Sequence, residues 1–223
     1  MKPYGTFKVT GGKLVVTDPC YDVGGRGQGV LKNVRNGEWN AFVETEDFGR
    51  ELLGGTRVTK LRAELATDQA GGPWVIENIS IGVDSGQAGI FSMNKYPAGE
   101  RAEDGKWNKD KFYDLCCEAT IKGKAGIIDG IGIVSQSGWG DGVYACRTRR
   151  DSDKKIIAVE IVFIDEDEAD SICTECGEPN EELHDGVCNE CGLVSCEKCG
   201  DMLHPDELNR EGFCNSCQSE VEE

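Results

Sequence analysis

Four Cys-x-x-Cys pairs fall in the last quarter of the chain: Cys173/Cys176, Cys188/Cys191, Cys196/Cys199 and Cys214/Cys217. Two intervening residues let one tight turn aim both sulfurs at a single ion, so eight thiols at this spacing predict two tetrahedral zinc sites. With eight cysteine ligands every position on both ions is protein sulfur and none is open to water, which predicts structural rather than catalytic Zn2+. The segment needs such a staple. Between Ile172 and Glu223 the larger apolar side chains are few (Leu183, Val187, Leu193, Val194, Met202, Leu203, Leu208, Phe213 and Val221 after Ile172), too few to fold so short a stretch by burial alone.

Two pairings of the knuckles are open. Sequential pairing joins the first pair with the second and the third with the fourth, and resembles double zinc-ribbon tails. Interleaved pairing joins first with third and second with fourth, and the short Gly192–Ser195 spacer is similar to that of cross-brace modules of the FYVE type. Those modules carry a basic, histidine-containing stretch that binds phosphoinositide. Here the matching stretch, Glu181–Val187, is acidic, so the lipid function does not carry over. The sequential arrangement is preferred. His184 and His204 are expected at the surface, since cysteine already fills both sites.

Charge bears on partners. The net charge is -17, yet the residues up to Ile164 are balanced. The excess lies in Asp165–Asp170 and in the tail from Ile172, which has 14 acidic residues against Lys198 and Arg210. Such a tail repels phosphate backbones and is not expected to bind nucleic acid; it fits a protein partner with a basic surface. No apolar run reaches membrane-spanning length, so no membrane association is expected. The start, Met1-Lys2-Pro3-Tyr4, has no signal-peptide apolar stretch, and a reducing cytoplasm suits twelve cysteines of which eight are knuckles. Cys20, Cys116, Cys117 and Cys146 are then free thiols.

The first 164 residues read as mainly β: an antiparallel β-sandwich or partly open barrel. Thr6–Val9, Leu14–Thr17, Trp39–Glu44 and Val58–Leu65 are short and rich in strand formers, and Trp39, Ala41 and Val43 share one face. Thr10-Gly11-Gly12-Lys13 and Asn36-Gly37 read as hairpin turns. Ile156–Ile164 is nearly all apolar and predicts a central strand covered on both faces, entered through the turn Asp151-Ser152-Asp153. The best helix candidate is Glu46–Leu53, weakened by Gly49. Five acids in Asp165–Asp170 mark a solvated linker. The organisation predicted is a β-rich domain over 1–164, an acidic linker over 165–171, a double zinc-binding module over 172–219, and an acidic end over 220–223.

Three blocks in the β-rich part place acidic or small residues in glycine-permitted turns: Asp18-Pro19-Cys20-Tyr21, Asp84-Ser85-Gly86-Gln87-Ala88-Gly89, and Gly138-Trp139-Gly140-Asp141-Gly142-Val143-Tyr144. If these loops converge, Asp84, Ser85, Gln87, Ser137, Asp141 and Tyr144 line a polar site for a small ligand. Equally, Asp and Gly at such places serve simply to build turns. The three blocks, in this order, resemble a family of β-rich proteins of bacteria and their phages marked by a Gly-x-Gly-Asp-Gly-x-Tyr block. The resemblance spans nearly all of Met1–Ile164 and leaves the cysteine-rich tail outside it. It implies a bacterial or phage protein of the cytoplasm, the host's if phage-encoded.

Chemistry is constrained by what is missing. Both histidines lie in the tail, which excludes a Cys–His enzyme within the β-rich part, so Cys20 is not expected to be a nucleophile. No phosphate loop, dinucleotide fingerprint or serine-hydrolase elbow occurs. The expected function is a binding or interaction protein, with a ligand or partner held at the glycine-rich loops and the acidic zinc module docking a protein. A carboxylate-based hydrolase centred on Asp141, with Asp84 or Asp18 as second acid, and a zinc-ribbon nucleic-acid-binding protein are the alternatives.

Overall fold

The computed structural model describes residues 3–22, 24–25, 27–48, 55–67, 71–96, 109–165, 183–184, 187–188, 192–203, 207–208 and 214. The chain forms two compact units: Met1–Glu46 with Arg57–Asp165, and Asp47–Thr56 with Glu166–Glu223.

The first unit is built from antiparallel sheets. One has six strands in the order β1 (Gly5–Val9), β4 (Gly37–Asp47), β5 (Thr56–Leu65), β11 (Ile156–Val162), β10 (Gly142–Arg150) and β6 (Val75–Val83). The other has five: β3 (Gly29–Lys32), β2 (Lys13–Thr17), β7 (Gln87–Ser92), β9 (Gly132–Gln136) and β8 (Ala125–Ile128). Among the described residues both sheets are open at their edge strands, and neither closes into a barrel. They meet through side chains: Ile127 on β8 lies against Gly5 of β1, and Ile79 and Ile81 on β6 lie against Gly29 of β3.

Sequence pattern explains the layering. On β4, Trp39 and Ala41 of the expected face are fully buried, Val43 is half-buried, and Phe42 on the other face is buried too. β11 is buried at every position because β5 and β10 flank it and both its faces are covered. β7 is likewise buried throughout, since the five-stranded sheet is packed on both faces. Its second face receives a helix, α1 (Lys109–Gly123). Phe112, Cys116 and Thr120 recur at helical spacing on the buried side, and Phe112 and Cys116 join Val15, Phe91, Tyr96, Ile128 and Val134 in one apolar cluster. Phe91, Tyr96 and Phe112 form a ring triad with centroids 5.2 to 5.4 Å apart. A Cβ at Gly89 or Gly132 would come within 2.4 Å of the Phe91 ring, so only glycine fits beneath it. Lys124, left-handed at φ 63, ends the helix by donating its N–H to Thr120 O.

Several expectations change. The helix is α1; Glu46 and Asp47, expected to begin one, are the end of β4, and 49–54 lie outside the described residues. Cys116 and Cys117 are neighbours on this helix, and Cys116 is in the core. The turn at Gly11-Gly12 is real, with φ of 77° and 65°, but β1 and β2 do not pair. β1 pairs with β4 and β2 with β3 and β7, so the turn carries the chain from one sheet to the other. Asn36-Gly37 does the same between β3 and β4. By contrast, Asp129-Gly130 closes a true hairpin between β8 and β9, and residues 151–155 close one between β10 and β11.

The second unit contains two short ribbons, β12 (Leu183–His184) with β13 (Val187–Cys188), and β14 (Val194–Ser195) with β15 (Met202–Leu203).

Candidate functional site

In the second unit Cys196, Cys199 and Cys214 bring their sulfurs within 4.8 Å of one another. The Cys199 and Cys214 sulfurs are 3.8 Å apart. Four sulfurs about 2.3 Å from a tetrahedral zinc are separated by about 3.8 Å, so the spacing suits such an ion. The β14–β15 ribbon presents the knuckle. Cys196 N–H donates to Asp201 O, Gly200 N–H donates to Cys196 O, and Gly200 adopts φ 77°, where a glycine after the second cysteine is needed. Cys214 N–H points at the Cys196 sulfur from 3.3 Å. Backbone amides, those of Cys199 and Cys214 foremost, pull the Cys196 thiol down to about 6. Leu203 and Leu208 pack on the buried pair Cys196 and Cys214 and keep that side of the cluster dry. These cysteines come from the third and fourth pairs, the neighbours that sequential pairing joins. Cys173, Cys176, Cys191 and Cys217 lie outside the described residues, as do the side chains of Cys188 and His184.

In the first unit the three glycine-rich blocks meet. Asp18, fully buried just past the end of β2, accepts four hydrogen bonds. Its Oδ2 takes the N–H groups of Asp84 and Ser85 at 2.9 and 2.8 Å; its Oδ1 takes Cys20 N–H at 2.7 Å and Ser85 Oγ–H at 2.7 Å. One carboxylate thus ties the first block to the second. Tyr21 adds a link by donating its hydroxyl to Asp84 Oδ2 at 2.5 Å, and that bond to the carboxylate pushes the phenol up to about 12. The second block is tied to the third by Asp141, whose Oδ1 accepts Gly86 N–H at 3.1 Å, and by Ser137 N–H, which donates to Gly86 O at 3.1 Å.

Within the third block, Ser137 Oγ donates to Gly140 O at 2.7 Å, and the Tyr144 hydroxyl lies 2.9 and 2.8 Å from the carbonyls of Ser137 and Gly140. Tyr144 also sets its ring edge-on to Phe163. Of the six residues expected to line a site, Asp84 and Asp141 are exposed; Ser85 and Tyr144 are half-buried, and Ser137 is buried. Gln87 is elsewhere. It is buried under α1, where its amide donates to Cys117 Sγ at 3.2 Å and its carbonyl accepts from Thr120 Oγ1 at 3.2 Å.

Sequence reasoning placed Asp18 and Tyr21 in the first block and Cys117 among the free thiols without giving them these links, and it overlooked Tyr113. Tyr113 reaches Ser85 and Cys117, and burial foremost raises its phenol. The four-residue spacing of Tyr113 and Cys117 is the signal that places both on one helix face. Cys20 is half-buried, and Arg57 stacks on the Trp139 ring with its guanidinium carbon 5.2 Å from the centroid.

Fold and site together define a mainly β, antiparallel protein with a cysteine cluster that could hold a metal ion. No family model, curated protein or solved structure matches the chain. Among the described residues, no helix is long and apolar enough to cross a membrane.

Proposed function

We propose that this chain is a binding protein of a bacterial or phage-infected cytoplasm, a β-sandwich joined to an acidic module held by two structural zinc ions, each in a four-cysteine site made from sequential pairs. The interlocked loop edge supports this reading most. Asp18 spends both oxygens on the turns it joins, and the hydroxyls of Ser85, Ser137 and Tyr144 have partners within the loops. Exposed on this rigid edge are the carboxylates of Asp84 and Asp141. A fixed acidic edge recognises a cationic group on a ligand or partner, and the acidic tail favours a basic protein surface in the same way. Acid–base hydrolysis at Asp141 needs a second carboxyl free to exchange a proton; Asp18 is fully engaged in hydrogen bonds to the turns, and Asp84 already accepts the Tyr21 hydroxyl. For nucleic acid the tail has the wrong sign.

Native mass spectrometry of freshly purified protein tests this in one measurement. Two zinc ions and a retained basic partner or cationic ligand are expected. A protein that carries no zinc, or that turns over a substrate in proportion to an intact Asp141, contradicts the reading.

A further inference from the structure

A second surface lies at the opposite end of β9 from the loop edge, five residues or about 16 Å away along the strand. Between α1 and the β8–β9 hairpin runs an open groove of about 240 Å³, lined by Leu115, Ala119, Ile127 and Ile128 with Glu118, Lys122 and Asp129 on its rim. Its floor is continuous with the apolar cluster under the helix, to which Ile128 belongs and against which Leu115 and Ala119 pack. Gly126 lets Ala119 of the helix approach β8 closely: a Cβ there would come within 2.6 Å of the Ala119 Cβ. Beside the rim, one turn along from Glu118, Ile121 is 81% exposed.

Among the described residues the rim charges do not cancel. Lys122 is paired with Glu118 on the helix. Asp129 faces them from the hairpin turn, exposed and with no cationic partner among the described residues. Its backbone is left-handed at φ 46°, which holds the carboxylate at a fixed tight turn. An apolar floor with one uncompensated carboxylate favours an aliphatic side chain that carries a positive charge beside it.

We infer that this groove docks a segment of a partner protein in which a leucine-like side chain sits next to lysine or arginine. The surface is distinct from the loop edge and the cysteine cluster, and it extends the binding reading to a second face of the β-rich unit.

The test is a 1H–15N NMR titration of the full, zinc-loaded chain with the capped tetrapeptides RLLR and ELLE. With RLLR, amide shifts concentrate at residues 115–122 and 126–130, while ELLE leaves them in place. Asp129→Asn, which suits the left-handed turn, weakens RLLR binding about three-fold, the size of an exposed ion pair, and Lys122→Gln, which frees Glu118, strengthens it about two-fold. Shifts confined to residues 172–223, equal binding of the two peptides, or an Asp129→Asn variant that binds as well as the parent each overturn the groove. The first of these outcomes leaves the acidic module's role intact.

Discussion

Among the described residues the two units differ in how much apolar burial they contain. In the β-rich unit, Trp39, Phe91, Leu61, Ile81 and Ile133 are among many large side chains fully removed from water, and the sheets follow from where those residues fall. In the C-terminal unit, the apolar cluster among the described residues is Cys196 and Cys214 with Leu203 and Leu208 against them. Burial specifies a fold through dozens of weak contacts, each dispensable in part. Ligation, in the zinc-held module proposed above, specifies it through four strong bonds, none dispensable. On that proposal one chain carries a unit that tolerates substitution by degrees and a unit that fails at a single atom.

The largest expected effect comes from breaking the second kind of order. Cys214→Ser should lower the bound zinc by one ion and abolish amide protection around the β14–β15 ribbon, with no change in the melting of the β-rich unit. Mass spectrometry and hydrogen exchange read both. Trp39→Ala is the converse: it should destabilise the β-rich unit by about 3 to 5 kcal/mol in denaturant titration and leave the zinc content alone.

Smaller changes sharpen the account of the loop edge. Asp18→Asn keeps the shape but turns an N–H₂ group toward backbone amides that need an acceptor. It should cost about 2 to 3 kcal/mol and loosen all three blocks together, visible as faster exchange at Asp84, Ser85 and Gly86. Asp141→Asn retains an oxygen for Gly86 N–H, so its stability should move by less than about 0.5 kcal/mol while affinity for a basic partner falls. A large loss of stability at Asp141 with binding unchanged would make that residue a turn builder alone.

Strands were legible where alternation or an unbroken apolar run was strong, as at Trp39–Val43 and Ile156–Ile164. Which strands pair was not. Gly11-Gly12 has the chemistry of a hairpin turn, yet the partners of β1 and β2 are chosen by which face each buries, and that is a property of the whole core. α1 was missed because its buried face is made of Phe112, Cys116 and Thr120, residues with weak helix preference and modest apolarity. At the candidate site the blocks themselves were visible, and the structure brings them together. What the sequence could not reveal is that Asp18, not the exposed acids, is the knot. Its role depends on amides 66 and 67 residues away. The knuckle spacing, a purely local signal, led to the cysteine cluster without any knowledge of the fold.

The proposed contrast between the units is tested most directly by removing any bound metal. A zinc chelator is added to the intact chain, and amide exchange is followed across all residues alongside the thermal melt. The account predicts that protection is lost through the cysteine-rich segment while the strands of both large sheets, β11 and β7 above all, exchange as slowly as before and melt at the same temperature. Loss of protection in both units together, or in neither, would contradict it.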